Sequence, residues 1–249
     1  MMASCAIDDA ATRRHYIQFE SEKWDGETKA NLVMNIVQLV LYHRHQIPSP
    51  IEILTREKTL IDSGEESQNS KVGLKNQSTK RLIQLLASLD ELSSNLMSLF
   101  NSNIDLHEIL ILLGPTVFSP KCAYCIHFDQ SQHQIVLNLP FPKPEVISRR
   151  LMLKLATNED FIACQSFPLT NLSLLIRLPR YSDIAWFLPR QDFKLKSQVL
   201  PFIIDISLHS DLKRSQNNAS PADKLTDQDT DMIWFQAPIS IKGYKDKVK

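Results

Sequence analysis

The apolar positions of the chain change their period twice, and the changes divide it into a helical first part, a strand-rich middle and a polar stretch before a last strand. From about Lys29 to Gln46, Leu32, Ile36, Leu39 and His43 follow one helical stripe and Val33, Val37 and Val40 another. A helix apolar almost all round is a buried, central one. Pro48-Ser49-Pro50 ends it, because proline disfavours helix at the residue before it. Ile51 to Ile61 reads as a short apolar connector, and 62–79, rich in Ser, Glu, Asn and Lys, as an exposed loop. A second helix is predicted from about Lys80 to Phe100, where Leu82, Leu85, Leu86, Leu89, Leu92, Leu96 and Leu99 recur at spacings of three and four. Roughly three heptads are the lower limit for a coiled coil, so a helix packed within the domain is expected.

Beyond Leu106 the pattern becomes strand-like. Ile109 to Leu113 is a continuous apolar run stopped by Gly114-Pro115, as a central strand would be. Tyr124 to Phe128 and Gln134 to Leu139 read as neighbours of it, and Leu169 to Leu178 and Phe202 to Leu208 as further strands. Between them Pro144 opens a third helix that continues to about Ala156. Residues 210–231 read as an exposed loop. From Ile233 to Tyr244 the alternation returns, with Ile233, Phe235, Ala237, Ile239 and Ile241 on one side and Trp234, Gln236, Pro238, Ser240 and Lys242 on the other. Helices, then strands, one helix and more strands make an α+β domain. The expected organisation is a polar, mobile segment over residues 1–28 and a single domain over 29–245.

Composition narrows the function classes. Lys+Arg and Asp+Glu are both 28 among 249 residues, so nothing in the charge balance seeks nucleic acid or an anionic membrane. No apolar run approaches the ~20 residues that span a bilayer, and the acidic start is unlike a secretion signal. An intracellular chain is expected, its four cysteines as free thiols. Five scattered glycines build no phosphate cradle.

Candidate chemistry is sparse. Cys122-Ala123-Tyr124-Cys125, with His127 and His133 nearby, is a C-x-x-C, but there is no second pair and Cys164 is remote. In a strand, positions i and i+3 face opposite sides. No metal, no cofactor and no catalytic residue is therefore expected. His43 and His45 sit where a helix C-terminus favours histidine. The third helix carries more information. Ile147, Leu151 and Leu155 form a docking stripe, and at about 100° per residue Arg149, Met152, Leu153 and Ala156 fall on the other side. Interfaces are enriched in Met and Arg, but the periodicity leaves open whether that second face is free or buried too.

Several segments, in order, carry a resemblance. They are Tyr42-His43-Arg44-His45-Gln46-Ile47-Pro48-Ser49-Pro50, Leu110-Ile111-Leu112-Leu113-Gly114 with Ser119-Pro120-Lys121, Arg149-Arg150-Leu151, Trp186-Phe187 with Pro189, and Ile233-Trp234-Phe235-Gln236-Ala237-Pro238 with Lys242-Gly243. Over roughly residues 30 to 245 the chain resembles the Comet family of Mad-two-binding proteins. That resemblance implies a HORMA-like fold, with three main helices on a mostly antiparallel sheet and a C-terminal "safety belt" that includes Ile233, Trp234, Phe235, Ile239 and Ile241. It implies a non-catalytic, monomeric adaptor of the spindle checkpoint. The adaptor would bind closed Mad-two and recruit a Pch-two-family AAA+ ATPase, in nucleus and cytoplasm and at the mitotic spindle or kinetochore. It turns the open question about the third helix towards a free face. His43, Arg149, Met152, Leu153 and Ala156 would meet Mad-two, and Pro189 and Arg190 the ATPase. Well-known vertebrate members have glutamine where this chain has His43 and phenylalanine where it has Met152. Two other readings remain: a HORMA-like module that clamps a linear peptide, and a thiol or zinc enzyme using Cys122 and Cys125.

Overall fold

The structure is a computed structural model and describes residues 16–21, 25–62, 72–102, 104, 106, 108–128, 143–162, 168–208 and 232–245. Its centre is the first helix, α1 (Gly26–His43). Asp25 caps it by accepting the Thr28 amide at 2.8 Å. Leu32, Val33, Ile36, Val37, Val40 and Leu41 have no exposed surface. At about 1.5–3 kcal/mol for each fully buried side chain, α1 anchors the domain. It ends at His43 and not near Gln46, because the turn closes on itself. The Gln46 amide bonds the Leu41 carbonyl at 2.9 Å and the His45 amide that of Tyr42 at 3.0 Å, with His45 at a left-handed φ of 53°. This is the six-to-one and five-to-two closure of a Schellman cap.

Two helices flank it, α3 (Val72–Asn101) and α4 (Pro144–Ala156), joined by the shorter α2 (Ile51–Asp62) and α5 (Glu159–Ile162). The leucine stripe of α3 is buried from Leu82 to Leu99, as expected. Two expectations fail here. Ile51 to Ile61 is a helix and not a connector, with Leu54 buried and Ile51 and Ile61 packed on the core. Their spacing of three and seven was a helical signal, obscured by the preceding prolines. The loop expected over 62–79 gives way to α3 from Val72 onwards, and 63–71 lies outside the described residues.

The strands are β1 (Tyr16–Ser21), β2 (Glu108–Gly114), β3 (Cys122–Phe128), β4 (Asn171–Pro179), β5 (Leu188–Arg190), β6 (Phe202–Leu208), β7 (Met232–Gln236) and β8 (Ile241–Lys242). They form one sheet in the order β1-β6-β3-β2-β4-β7-β5, with β8 also on β4. The β1–β6 and β6–β3 pairs are parallel and the remaining pairs antiparallel. The class is α+β and agrees with the HORMA-like expectation. Residues 16–21, expected within a mobile segment, are an edge strand; Ile17 and Phe19 are buried. The strand expected over Gln134 to Leu139 and the loop expected over 210–231 fall outside the described residues. No helix among those described is long and apolar enough to cross a membrane.

The C-terminal segment is two strands where one was expected. Ile233, Phe235, Ala237 and Ile241 are buried on the helix side, but Ile239 is only half-buried. Leu174 pairs with Ala237 through a 2.9 Å bond and Leu172 pairs with Ile241. Three residues of the C-terminal segment therefore stand opposite Ser173 alone. Pro238 has no amide to give to a ladder, and the chain bulges before it rejoins β4.

The sheet is covered on both faces. Ile109, Ile111, Tyr124, Ile126, Leu174, Ile176, Ile204 and Ile206 meet the helices. Leu110, Leu112, Ala123, Cys125 and Leu175 face away, under Val117 and Phe193. The far face also carries one register row that crosses the whole sheet: Arg190, Trp234, Arg177, Glu108, His127, Asp205 and Gln18 stand side by side.

Candidate partner-binding surface

The third predicted helix is observed with the expected bounds, Pro144 to Ala156. Ile147, Leu151 and Leu155 are buried against the domain. The opposite side is in part what the periodicity suggested. Arg149 is exposed and Leu153 is 65% exposed. Met152 and Ala156 are half-buried, and Met152 packs against the main core, so they form the shoulder of the surface and not its crest. The crest is Val146, Arg149, Arg150 and Leu153. Val146, 47% exposed, was missed, although 146, 149/150 and 153 form a plain helical stripe.

His43 lies at the C-terminal end of α1, half-buried, with its ring edge-on to Phe161 of α5 at 5.8 Å. Desolvation, then the neighbouring Arg44 and His45 charges, lower its imidazole below the ordinary value. Both effects favour the neutral imidazole, which suits an apolar contact. Tyr42, whose ring meets that of His43, is 41% exposed, and Ile162, next in sequence to Phe161, is 47% exposed; neither was singled out as a site residue. Arg44 fixes this corner. Its side chain is fully buried, with Nη2 donating to the Phe161 carbonyl at 2.8 Å and Nε to the Tyr124 hydroxyl. The guanidinium also lies over both rings. The end of α1 is thus tied to α5, directly after α4.

Pro189 and Arg190 are exposed on β5, the outermost strand. Arg190 Nε donates to Gln236 Oε1 at 2.8 Å. Because α4 touches β1 at the other edge, six strand spacings of ~4.8 Å separate the two surfaces, about 25–30 Å across the sheet. Of the C-terminal residues, Trp234 packs on Phe193 at 5.9 Å on the far face, while Ile233, Phe235 and Ile241 belong to the core.

The C-x-x-C is no chelate. Cys122 packs towards the helices and Cys125 on the far face, as strand alternation requires. Cys164 and His133 lie outside the described residues.

Helices on one side of a mixed sheet, with an apolar helix crest left over, define a HORMA-like α+β domain with a candidate docking face. The chain belongs to the p31comet family, whose profile, described as "Mad1 and Cdc20-bound-Mad2 binding", matches residues 24–246. It is 26% identical over 215 residues to the mouse "MAD2L1-binding protein", covering 84% of this chain and 71% of the mouse protein. To the human "MAD2L1-binding protein" it is 24% identical over 218 residues, covering 85% and 73%. These relatives are named for binding and not for a reaction.

Proposed function

We propose that this chain is a non-catalytic adaptor that binds closed Mad2 through the crest of α4 and the end of α1. The observation that carries the reading is Leu153, a leucine 65% exposed on a well-packed helix whose other side is core. What supports a docking role is that Leu153 is not alone: Val146 is exposed on the same stripe with Arg149 beside them, and contiguous apolar surface with arginine suits an interface. Val146, Arg149 and Leu153 form the centre, with Met152, Ala156 and His43 at the rim. Pro189 and Arg190, at the opposite edge of the sheet, would receive a Pch-two-family AAA+ ATPase. Two surfaces so far apart suit a protein that presents one partner to another. The cellular consequence would be silencing of the spindle checkpoint, by a monomer found in nucleus and cytoplasm and at the mitotic spindle.

The peptide-clamp reading is weaker. β7 and β8 already take up the edge of β4, so a foreign strand would have to displace the chain's own. The test is capture of purified Mad2 locked in its closed or its open form. Retention of the closed form alone, lost with Leu153→Glu at unchanged melting temperature, supports the proposal. Equal retention of both forms, or binding indifferent to Leu153→Glu, refutes it.

A further inference from the structure

The polar end of the far face contains a cluster that the adaptor reading does not use. Glu108 Oε1, Cys125 Sγ and His127 Nε2 come together from β2 and β3, each 3.2 Å from the other two. These three atoms are the one group of metal-capable donors found among the described residues. The outer partners are equally specific. His127 Nδ1 is 2.8 Å from Asp205 Oδ1 on β6, and Arg177 Nη1 on β4 is 3.0 Å from Glu108 Oε2, the oxygen that faces away from the thiol.

We propose that Glu108, Cys125 and His127 are the protein ligands of a zinc ion, with a solvent molecule at the fourth position. Three features support this. One is size: ligands at about 2.0–2.3 Å in a tetrahedron stand about 3.3–3.5 Å apart, close to the 3.2 Å triangle here. A second is donor chemistry. One thiolate, one imidazole and one carboxylate suit zinc, and calcium or magnesium would ask for oxygen alone. The third is orientation. A ligating histidine commonly gives its other nitrogen to a carboxylate, which fixes the ring and raises its basicity, and Asp205 stands there. The Glu108 and His127 side chains are 20% and 39% exposed, so the ion has a way in and room for solvent.

The charge balance closes. Without metal, a protonated His127 and Arg177 would together offset the formal charges of Glu108 and Asp205. Hydrogen bonding to Glu108 raises His127 despite burial, and burial with the Glu108 charge pushes the Cys125 thiol up. Zinc binding expels the thiol proton and the imidazolium proton to solvent, two positive charges leaving as two arrive. Binding therefore releases two protons where His127 is charged and one where it is already neutral, and it strengthens as pH rises. The groups that face the site are Glu108 on β2, Cys125 and His127 on β3, Arg177 on β4 and Asp205 on β6. Two neighbouring strands supply the ligands and the next strand on each side orients them, so the ion would clip the middle of the sheet.

The test is cobalt titration of the chelator-stripped full chain, followed by zinc. We expect a thiolate-to-cobalt charge-transfer band that saturates at one equivalent and is bleached by zinc. The band should vanish in Cys125→Ser, persist in Cys122→Ser, and Asp205→Asn should weaken zinc binding about 10-fold or more. A wild-type chain with no saturable band overturns the site, as does a Cys125→Ser chain that keeps it. If Cys125→Ser fails to fold, Asp205→Asn decides, and unchanged zinc affinity there also overturns the proposal.

Discussion

Truncating Leu153 to alanine should separate binding from folding more cleanly than any other change on α4. Full burial of a leucine is worth about 1.5–3 kcal/mol. With 65% of the residue still in solvent, the partner has roughly two thirds of that to gain, about 1–2 kcal/mol. Leu153→Ala should therefore raise the Kd for closed Mad2 about 5–30-fold. The fold loses only the remaining third, partly recovered through the better helix propensity of alanine, so the melting temperature should fall by no more than ~4 °C. Leu153→Glu adds a charge to be desolvated without a counter-charge and should cost ~100-fold or more. Met152 is the less clean probe, because it already packs against the core and its truncation must cost stability as well. Affinity can be read by calorimetry and stability by a thermal melt on the same preparations. A fall in melting temperature well beyond ~4 °C for Leu153→Ala would mean that α4 is buried on both sides in solution. Unchanged affinity with unchanged stability would put the partner on another face.

Arg190→Glu should weaken ATPase recruitment in a pull-down while closed Mad2 binding stays intact; loss of both would show that the two edges of the sheet are not independent. Deleting residues 232–249 uncovers the edge of β4 and the core around Ile233 and Phe235, so the product should aggregate on size exclusion; a monomer with an unchanged cooperative melt would contradict the packing described. His45→Gly relieves a non-glycine residue at φ 53° and should stabilise by about 0.5–1 kcal/mol in urea unfolding. Burial opposes ionisation of Glu108, but hydrogen bonds from His127, Arg177 and Cys125 hold its carboxyl down at about 2. A depressed carboxyl stabilises above its unfolded value and loses that contribution as pH falls towards the folded one. The stability lost in Glu108→Gln should accordingly be full near neutral pH and vanish between about pH 4.5 and 2.

Periodicity located most elements, because burial of one face imposes a spacing that survives in the sequence. The leucine row of α3, the double stripe of α1 and the alternation of β7 are of this kind. It failed where a local rule outweighed the pattern. At Ile51 the three residues Pro48-Ser49-Pro50 suggested irregular chain, while Ile51, Leu54 and Ile61 were already spaced as a helix. At Pro238 alternation in the sequence continued straight through a break in the ladder, since side-chain parity says nothing about a missing amide. The crest of α4 was half legible, with Arg149 and Leu153 found and Val146 overlooked, and Met152 was placed too far out because a helical wheel does not say how wide the docked face is. Of the Glu108, Cys125 and His127 cluster, the sequence offered Cys125 and His127, but beside the wrong partner, Cys122, and without Glu108. Glu108 lies far from Cys125 in sequence, and only the register of β2 on β3 brings their side chains together.

In the segment Tyr42 to Gln46, side chains that face outward are interleaved with side chains that hold the fold. Tyr42 and His45 are exposed and His43 is half-buried, whereas Arg44 and Gln46 are fully buried. Arg44 holds α5 and β3, as described. Gln46 Nε2 bonds the Arg44 carbonyl at 2.8 Å, its Oε1 accepts the Thr170 amide at 2.7 Å, and its own carbonyl accepts the Tyr244 amide at 2.8 Å. Gly243 is confined by the same contact, since a Cβ there would stand 2.8 Å from the Gln46 carbonyl oxygen. Three parts distant in sequence, the end of α1, the start of β4 and the C-terminal turn, therefore converge on one glutamine. A buried polar side chain with every bond made is costly to replace, because any substitute leaves amides and carbonyls unpaired. The outward side chains of the same turn are held less tightly: Tyr42 and His45 are exposed, and His43 only leans its ring on Phe161. That leaves His43, on the half-buried outward side, freer to vary while Arg44 and Gln46 keep the corner in place. A side chain on the outward side can therefore change at little cost to the fold, because the fold beneath it rests on the residues in between.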